Sequence, residues 1–215
     1  MNPAASRLGS AGLSAVLALA ACASGAAGGA AAPAPVSPAS QAVAPAPDGG
    51  PNQADVYFMS GMIPHHAQAV LIASWAPTHG AGQSVRLLCE RIVVGQRDEI
   101  ALMQTWLRDR GQPVPDANAT HLRMKMDGAE HDMLMPGMLN ADELARLDAA
   151  RGTEFDRLFL QAMIRHHEGA ISMVDRLFGS QGAGQDEVVF RFASDVYADQ
   201  TTEIDRMQKM LAALR

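Results

Sequence analysis

The sequence predicts an all-α protein, a four-helix bundle made of two αα-hairpin repeats. Apolar residues recur at helical spacing in four long segments, and no segment shows a convincing alternation of apolar and polar residues. The segments form two pairs, at about 53–110 and 153–214, and a short loop containing glycine divides each pair. Two hairpins of similar length can cover their apolar stripes by packing on each other, which gives a four-helix bundle.

An internal repeat relates the two hairpins. The segment from Phe58 to Val70 aligns with the segment from Phe159 to Ile171, and both contain the motif Met-Ile-x-His-His. A second shared pattern, Glu-Ile-x-x-Met-Gln, follows in each hairpin. The repeat therefore predicts equivalent helices in the same order in both halves of the domain.

The helix boundaries follow from the periodicity and from the residues that start and stop helices. Long helices are expected at about 53–76, 83–110, 153–178 and 185–214. A shorter helix, at about 141–150, is expected after Asn140, because Glu143 stands three residues later as in a capping box. The connection between the hairpins, about 111–152, is long and must cross the bundle.

The first 22 residues have the features of a lipoprotein signal peptide. Arg7 precedes an apolar run at 8–21 that is too short and too rich in alanine and glycine for a membrane-spanning helix. The run ends in Leu-Ala-Ala-Cys at Cys22, which resembles the lipobox where bacterial lipoproteins are cleaved and lipidated; an ordinary cleaved signal is the alternative. We expect an exported protein, periplasmic or on the cell surface, that is anchored to a membrane by the acyl chains on Cys22.

Composition and charge limit which parts of the remaining chain can fold and which classes of function are expected. Residues 23–52 are rich in alanine, proline and glycine and predict a disordered tether, so the folded domain is expected at 53–215. The net charge is −6 and no basic patch is present, which argues against nucleic-acid binding. No Ser/His/Asp grouping, phosphate loop or nucleotide fingerprint favours an enzyme. A homo-oligomer is left open.

Histidine and methionine are the candidate metal ligands. In each repeat a methionine lies one helical turn before the second histidine of the motif, on the stripe that is predicted to face the bundle centre. The first histidine is turned by about 100° to the border of the stripe, near a neighbouring helix or solvent. The candidate ligands on the helices are His65, His66, His166, His167, Met59, Met62, Met103, Met163 and Met207. The carboxylates predicted to lie behind the metal ligands are Asp55, Asp156, Glu99 and Glu203. Of these, the two glutamates are expected to hydrogen-bond the histidine rings.

The crossover adds further soft donor groups. Its candidate ligands are His131, Met133, Met135 and Met138. The length and mobility expected of this loop favour a function in gathering metal ions. The alternative is a methionine-rich loop that packs against the bundle.

These donor groups favour copper. Neutral imidazole and thioether ligands suit copper, and Cu(I) in particular. We therefore predict a copper-binding protein that sequesters copper or exchanges it with donor and acceptor proteins. Two alternatives remain open: a metal-dependent oxidoreductase that uses the histidines and carboxylates, and a metal-free structural lipoprotein whose histidines and methionines fill the core.

The same motifs resemble a bacterial family known as DUF305. The matched features are both Met-Ile-x-His-His motifs, the Met-Pro-Gly-Met segment at 135–138, Glu-Phe-Asp at 154–156 and the Glu-Ile-x-x-Met pairs, and they span about 53–213. The resemblance implies a ferritin-like four-helix bundle and, for some members, copper binding linked to copper resistance. One departure is Pro64 in the first motif, where Arg165 stands in the second. This proline should kink the first helix just before its histidines.

Overall fold

The structure is a computed structural model that describes residues 49–126 and 128–214. The predicted signal peptide, the lipidation site Cys22 and all but the last four residues of the predicted tether lie outside this range. The described elements, in chain order, are α1 (Gln53–Ala73), α2 (Gln83–Asp109), β1 (Leu122–Met126), β2 (Ala129–Met133), α3 (Ala141–Ala149), α4 (Gly152–Phe178) and α5 (Glu187–Ala213).

Side-chain caps fix the starts of three helices. The side chain of Asn52 accepts a hydrogen bond from the amide of Ala54 at the start of α1, and Asp186 caps α5 in the same way. At α3 the predicted capping box of Asn140 and Glu143 is confirmed, because each side chain accepts a hydrogen bond from the other residue's backbone amide. These caps satisfy amides that have no partner inside the helix.

The helices pair as the repeat predicts. α1 packs along α2 and α4 packs along α5, and the two hairpins meet through α1 and α4. The predicted helical bundle is confirmed, although α1 ends at Ala73 and gives way to turns earlier than expected. Among the described helices, none is long and apolar enough to cross a lipid bilayer.

The core consists of two apolar clusters. On α1, residues 58–67 contribute to one cluster and residues 69–76 from α1 and the turn after it contribute to the other. On α4, the division falls between Met163 and Ala170. The paired histidines lie at this boundary on α4 and directly beside it on α1. They therefore occupy a layer across the middle of the bundle.

The crossover contains a β-hairpin that the periodicity analysis missed. β1 pairs antiparallel with β2, with Met126 opposite Ala129 across a two-residue turn. Two signals were present in the sequence: β1 alternates apolar and basic residues, and the turn is Asp-Gly, a preferred hairpin turn. Gly128 has a φ of 82°, which glycine adopts without a steric penalty.

Candidate metal centre

All four motif histidines are completely buried. This agrees with the inward position expected of His66 and His167. Of the two positions left open for His65 and His166, near a neighbouring helix or near solvent, the structure shows the first. The imidazoles of His65 and His166 face each other across the bundle with ring centroids 3.8 Å apart. Because α1 and α4 pack directly on each other, the border of each stripe lies in the interface between the hairpins and not near solvent.

Two glutamates contact the other pair of histidines. The Nε2 atom of His167 lies 2.8 Å from Glu203 Oε2 in a hydrogen bond between α4 and α5. In the other hairpin, His66 Nε2 lies 2.7 Å from Glu99 Oε2. The angles at this second contact are not those of a hydrogen bond, since His66 Nε2 has no hydrogen-bond partner among the described residues. Both predicted supporting glutamates thus lie beside their histidines.

A backbone carbonyl from the crossover contacts His65. His65 Nε2 lies 3.0 Å from the carbonyl oxygen of Pro136. A carbonyl oxygen only accepts hydrogen bonds, so the proton of the neutral ring is assigned to Nε2 and the lone pair to Nδ1. The same reasoning assigns the His167 proton to Nε2, where the ring donates to Glu203. In both rings Nδ1 is then the atom that could bind a metal ion.

These Nδ1 atoms have no partner. In the part of the chain that the structure describes, Nδ1 of all four motif histidines is buried and without a hydrogen bond, and His166 also has an unpartnered Nε2. A buried polar atom without a partner costs about 1–3 kcal/mol. A metal ion bound by these nitrogens would satisfy them.

His79 shows what a structural histidine looks like in the same protein. It lies in the loop after α1, stacked on Trp75 with ring centroids 5.6 Å apart. Its Nδ1 lies 3.0 Å from the hydroxyl of Thr78, and its Nε2 lies 2.9 Å from the carbonyl oxygen of Asp148. Both nitrogens are therefore satisfied, in contrast to those of the central layer.

Burial keeps the central histidines in the form that binds metals. Desolvation, reinforced by the neighbouring His66, lowers the pKa of His65 to about 3. Desolvation and the neighbouring His65 likewise lower the pKa of His166 well below its ordinary value. Both rings are neutral at neutral pH, and a neutral imidazole is the ligand form.

The predicted methionine ligands lie on both sides of this layer. Those completely buried are Met59, Met62, Met103, Met163 and Met207. Three of them pack in the first core cluster with Met135 and Met138, and Met163 and Met207 pack in the second. Thioethers are therefore available from either direction to an ion held by the histidines.

The crossover is docked, and its candidate ligands separate into two groups. Met135 and Met138 are buried in the core, whereas His131 is exposed on β2 and Met133 is half-buried. The Met-Pro-Gly-Met turn (Met135–Met138) thus packs against the bundle, as in the alternative of a methionine-rich loop that packs there, and metal binding by the four candidate ligands stays a prediction.

Two glycines let the Met-Pro-Gly-Met turn approach α4. A Cβ atom on Gly169 would lie 2.0 Å from the carbonyl oxygen of Pro136, and one on Gly137 would lie 2.4 Å from the carbonyl oxygen of Arg165. Real Cβ contacts are never this short, so only glycine allows the backbones to pack here. The turn therefore lies directly over the His65–His166 pair.

Gln68 fixes the end of the turn, and sequence reasoning missed this role. Its side-chain amide donates to the carbonyl oxygen of Leu139 at 2.9 Å and accepts from the Leu139 amide at 2.7 Å, both in buried bonds. In the repeat alignment Gln68 corresponds to Gly169. The same repeat position thus binds the crossover on α1 and makes room for it on α4. A polar residue on the apolar face was the available signal.

The two aspartates are buried, as their predicted inward position requires, but they bind loop amides and not the surroundings of the motif histidines. Asp55 accepts a hydrogen bond from the amide of Gly184 at 2.7 Å, and Asp156 accepts from the amide of Gly82 at 3.0 Å. Each aspartate thus holds the loop of the opposite hairpin. Asp55 stands about 16 Å along the helix axis from His66, so it cannot support that ring. This removes two of the four carboxylates that motivated the oxidoreductase alternative.

Within residues 49–126 and 128–214, no three His, Cys, Asp or Glu side chains already converge on one point that could hold a metal ion. The available donors are the Nδ1 atoms and the methionine thioethers, and this set suits a soft ion better than a hard one. The residues present therefore fit copper in its lower oxidation state. Met62 and Met163, each one turn before a motif histidine, are the nearest thioethers along the helices.

Several solved structures resemble this chain. A DUF305 protein of Streptomyces coelicolor is 28% identical, with a TM-score of 0.62 over 75% of this chain and 93% of that one. A DUF305 fragment from Deinococcus radiodurans is also 28% identical, with a TM-score of 0.63 over 76% and 99%. CopM in its Cu(I)-bound form is 26% identical, with a TM-score of 0.56 over 74% and 96%.

No curated protein sequence matches the chain. The family model described as "Domain of unknown function (DUF305)" matches residues 55–211, which is most of the chain and nearly all of the described domain. The resemblance predicted from the paired histidine motifs is thereby confirmed. The chain belongs to the DUF305 family.

Proposed function

We propose that this protein binds copper in the central histidine layer, as Cu(I), and that it sequesters the ion or passes it to another protein. The observation that carries the proposal is the set of four buried motif histidines whose Nδ1 atoms have no partner among the described residues. Copper bound there would supply no reaction of its own; it is the cargo.

The chemistry of the surrounding residues supports this proposal. Thioethers lie on both sides of the layer and the Met-Pro-Gly-Met turn covers it, so a bound Cu(I) ion would be shielded from water and oxidants. The structures of CopM include Cu(I)-bound, Cu(II)-bound and silver-bound forms. Those metals were bound by a protein with a similar fold, and they make copper the first ion to test.

A competition titration tests the proposal. The full chain, freed of metal, is titrated with Cu(I) against a colorimetric Cu(I) chelator. We expect submicromolar affinity that weakens by at least about tenfold, or ~1.4 kcal/mol, when His66 and His167 are replaced by phenylalanine. His121→Ala is the matched control, because this ring is outside the layer and partly exposed.

X-ray absorption on the loaded protein keeps the test decisive if the double variant does not fold. Nitrogen and sulfur ligands around the copper are expected. Micromolar or weaker Cu(I) affinity, or a copper coordinated by oxygen alone, would contradict the proposal.

We also propose export and membrane attachment through a lipid on Cys22, with copper donor or acceptor proteins as partners. The lipobox-like sequence before Cys22 supports the anchor. Replacing Cys22 by serine should release the protein from the membrane fraction. A protein that stays with the membrane after this change would refute the lipid anchor.

A further inference from the structure

A cleft opens between α2 and α5, on the side of the bundle away from the α1–α4 interface. It has a volume of about 220 Å³, and Gln96 and Glu99 line it from α2. The repeat-related Gln200 and Glu203 line it from α5, together with Asp199. Both repeats thus contribute the same pair of oxygen-bearing side chains to one cavity.

The cleft is negatively charged. Partial burial raises the pKa of Asp199, and the nearby carboxylates of Glu99 and Glu203 raise it further. Arg91 also lines the cleft and opposes this effect. Three carboxylates therefore face one arginine, and the surplus charge would attract a cation.

Two buried amides lack a partner in the same cleft. Gln96 is 5% exposed and Gln200 is 4% exposed. The side-chain oxygen of each has no hydrogen bond within the described part of the chain. A buried amide oxygen without a partner is costly. Amide and carboxylate oxygens are also the ligands that hard divalent cations prefer.

The cleft adjoins the histidine layer through its glutamates. Glu99 and Glu203 line the cleft on one side and lie beside His66 and His167 on the other. We propose that the cleft is a separate site for a divalent cation, bound by the oxygens of Gln96, Gln200 and Asp199. The two glutamates, which do not already converge with Asp199 on one point, supply negative charge between the cleft and the histidine layer. This site does not depend on the proposed copper function.

Manganese is a suitable probe, because Mn²⁺ prefers oxygen ligands and its electron paramagnetic resonance signal falls when it binds. The full chain, free of metal, is titrated with Mn²⁺ alone. We expect saturable binding at one site, weakened by at least about tenfold in Asp199→Asn. Asp205→Asn is the matched control: it removes the same charge from an exposed position on α5 that does not line the cleft.

Gln200→Met gives a second variant, which removes the amide oxygen and keeps the length of the side chain. It should also weaken Mn²⁺ binding, and circular dichroism reports whether it folds. Asp199 is exposed, so Asp199→Asn is expected to fold in any case and keeps the proposal falsifiable.

Two results would overturn the proposal. One is the absence of saturable Mn²⁺ binding, and the other is equal weakening by Asp199→Asn and Asp205→Asn, which would indicate attraction to overall charge alone. The Cu(I) affinity of Asp199→Asn should stay within about threefold of the unmodified chain, or ~0.7 kcal/mol. If the unmodified chain binds Cu(I) but shows no saturable Mn²⁺ binding, this site alone is refuted. If it binds Mn²⁺ but not Cu(I), the copper function alone is refuted.

Discussion

Acid should destabilise the metal-free protein through its central histidines. In the folded chain the pKa of His65 is about 3, against an ordinary value of 6.5. Between these two pH values the unfolded chain binds a proton that the folded chain rejects, so stability falls as pH falls. The contribution of His65 to the free energy of unfolding is fully present above pH 6.5. At pH 5, one and a half units below that value, His65 alone removes about 2 kcal/mol.

His166 acts in the same direction, because its pKa is also lowered. Asp55 acts in the opposite direction: burial raises its pKa, so the folded chain holds that proton more tightly than the unfolded chain does. The contribution of His65 is therefore best isolated by comparing variants. His65→Phe keeps a ring of similar size in the buried position and removes the titrating group.

Urea unfolding at pH 8 and pH 5 measures the effect. With a slope of about 2 kcal/mol per molar urea, the histidine contribution shifts the midpoint by roughly 1 M. The drop in stability between pH 8 and pH 5 should be about 2 kcal/mol smaller in His65→Phe. His121→Phe, at a more exposed ring, controls for the substitution itself. An equal drop in the unmodified chain and His65→Phe would refute the burial argument.

Three further predictions concern the packing around the layer. Gly169→Ala would drive a Cβ atom into the docked turn and should lower the free energy of unfolding by roughly 1–3 kcal/mol. Gly95→Ala is the control: this helical position has nothing within 4 Å, and the change should raise the free energy of unfolding by about 0.5–1 kcal/mol. Equal urea midpoints for the two variants would contradict this prediction. Gln68→Leu leaves the backbone amide and carbonyl of Leu139 unpaired, and urea unfolding should show a free energy of unfolding lower by about 2–4 kcal/mol. A loss below about 0.5 kcal/mol would show that water replaces the two hydrogen bonds. Burial raises the pKa of the Cys89 thiol to about 12, so a thiol reagent should label it only after unfolding, and labelling of the native protein at pH 8 would contradict the burial.

The bundle could be predicted because helices and their order follow from local patterns in the sequence. Helical periodicity and the internal repeat locate the four long helices, and Asn140 with Glu143 marks the start of the short one. The β-hairpin was missed because each of its strands is five residues long. So short an alternation is easily lost beside longer helical patterns.

The site was only partly predictable, for a geometric reason. A helical stripe shows which residues face inward, and it placed His66 and His167 correctly. It does not show which helices touch, and the burial of His65 and His166 depends on the packing of α1 against α4. The contacts of the two aspartates could not be predicted for a related reason. An inward carboxylate at a helix start can lie beside a metal centre or accept a hydrogen bond from a loop amide, and only the fold distinguishes these two roles.

One crossover serves two equivalent halves, and this forces the halves to differ. The turn that joins them can lie over the pseudo-symmetric centre only once, so it binds Gln68 on one side and needs the space of Gly169 on the other. It also ties Nε2 of His65 to Pro136, while both nitrogens of His166 stay unpartnered in the described structure. The duplicated motif therefore yields two inequivalent half-sites. Stepwise metal loading of the two half-sites is the behaviour that such an asymmetry predicts.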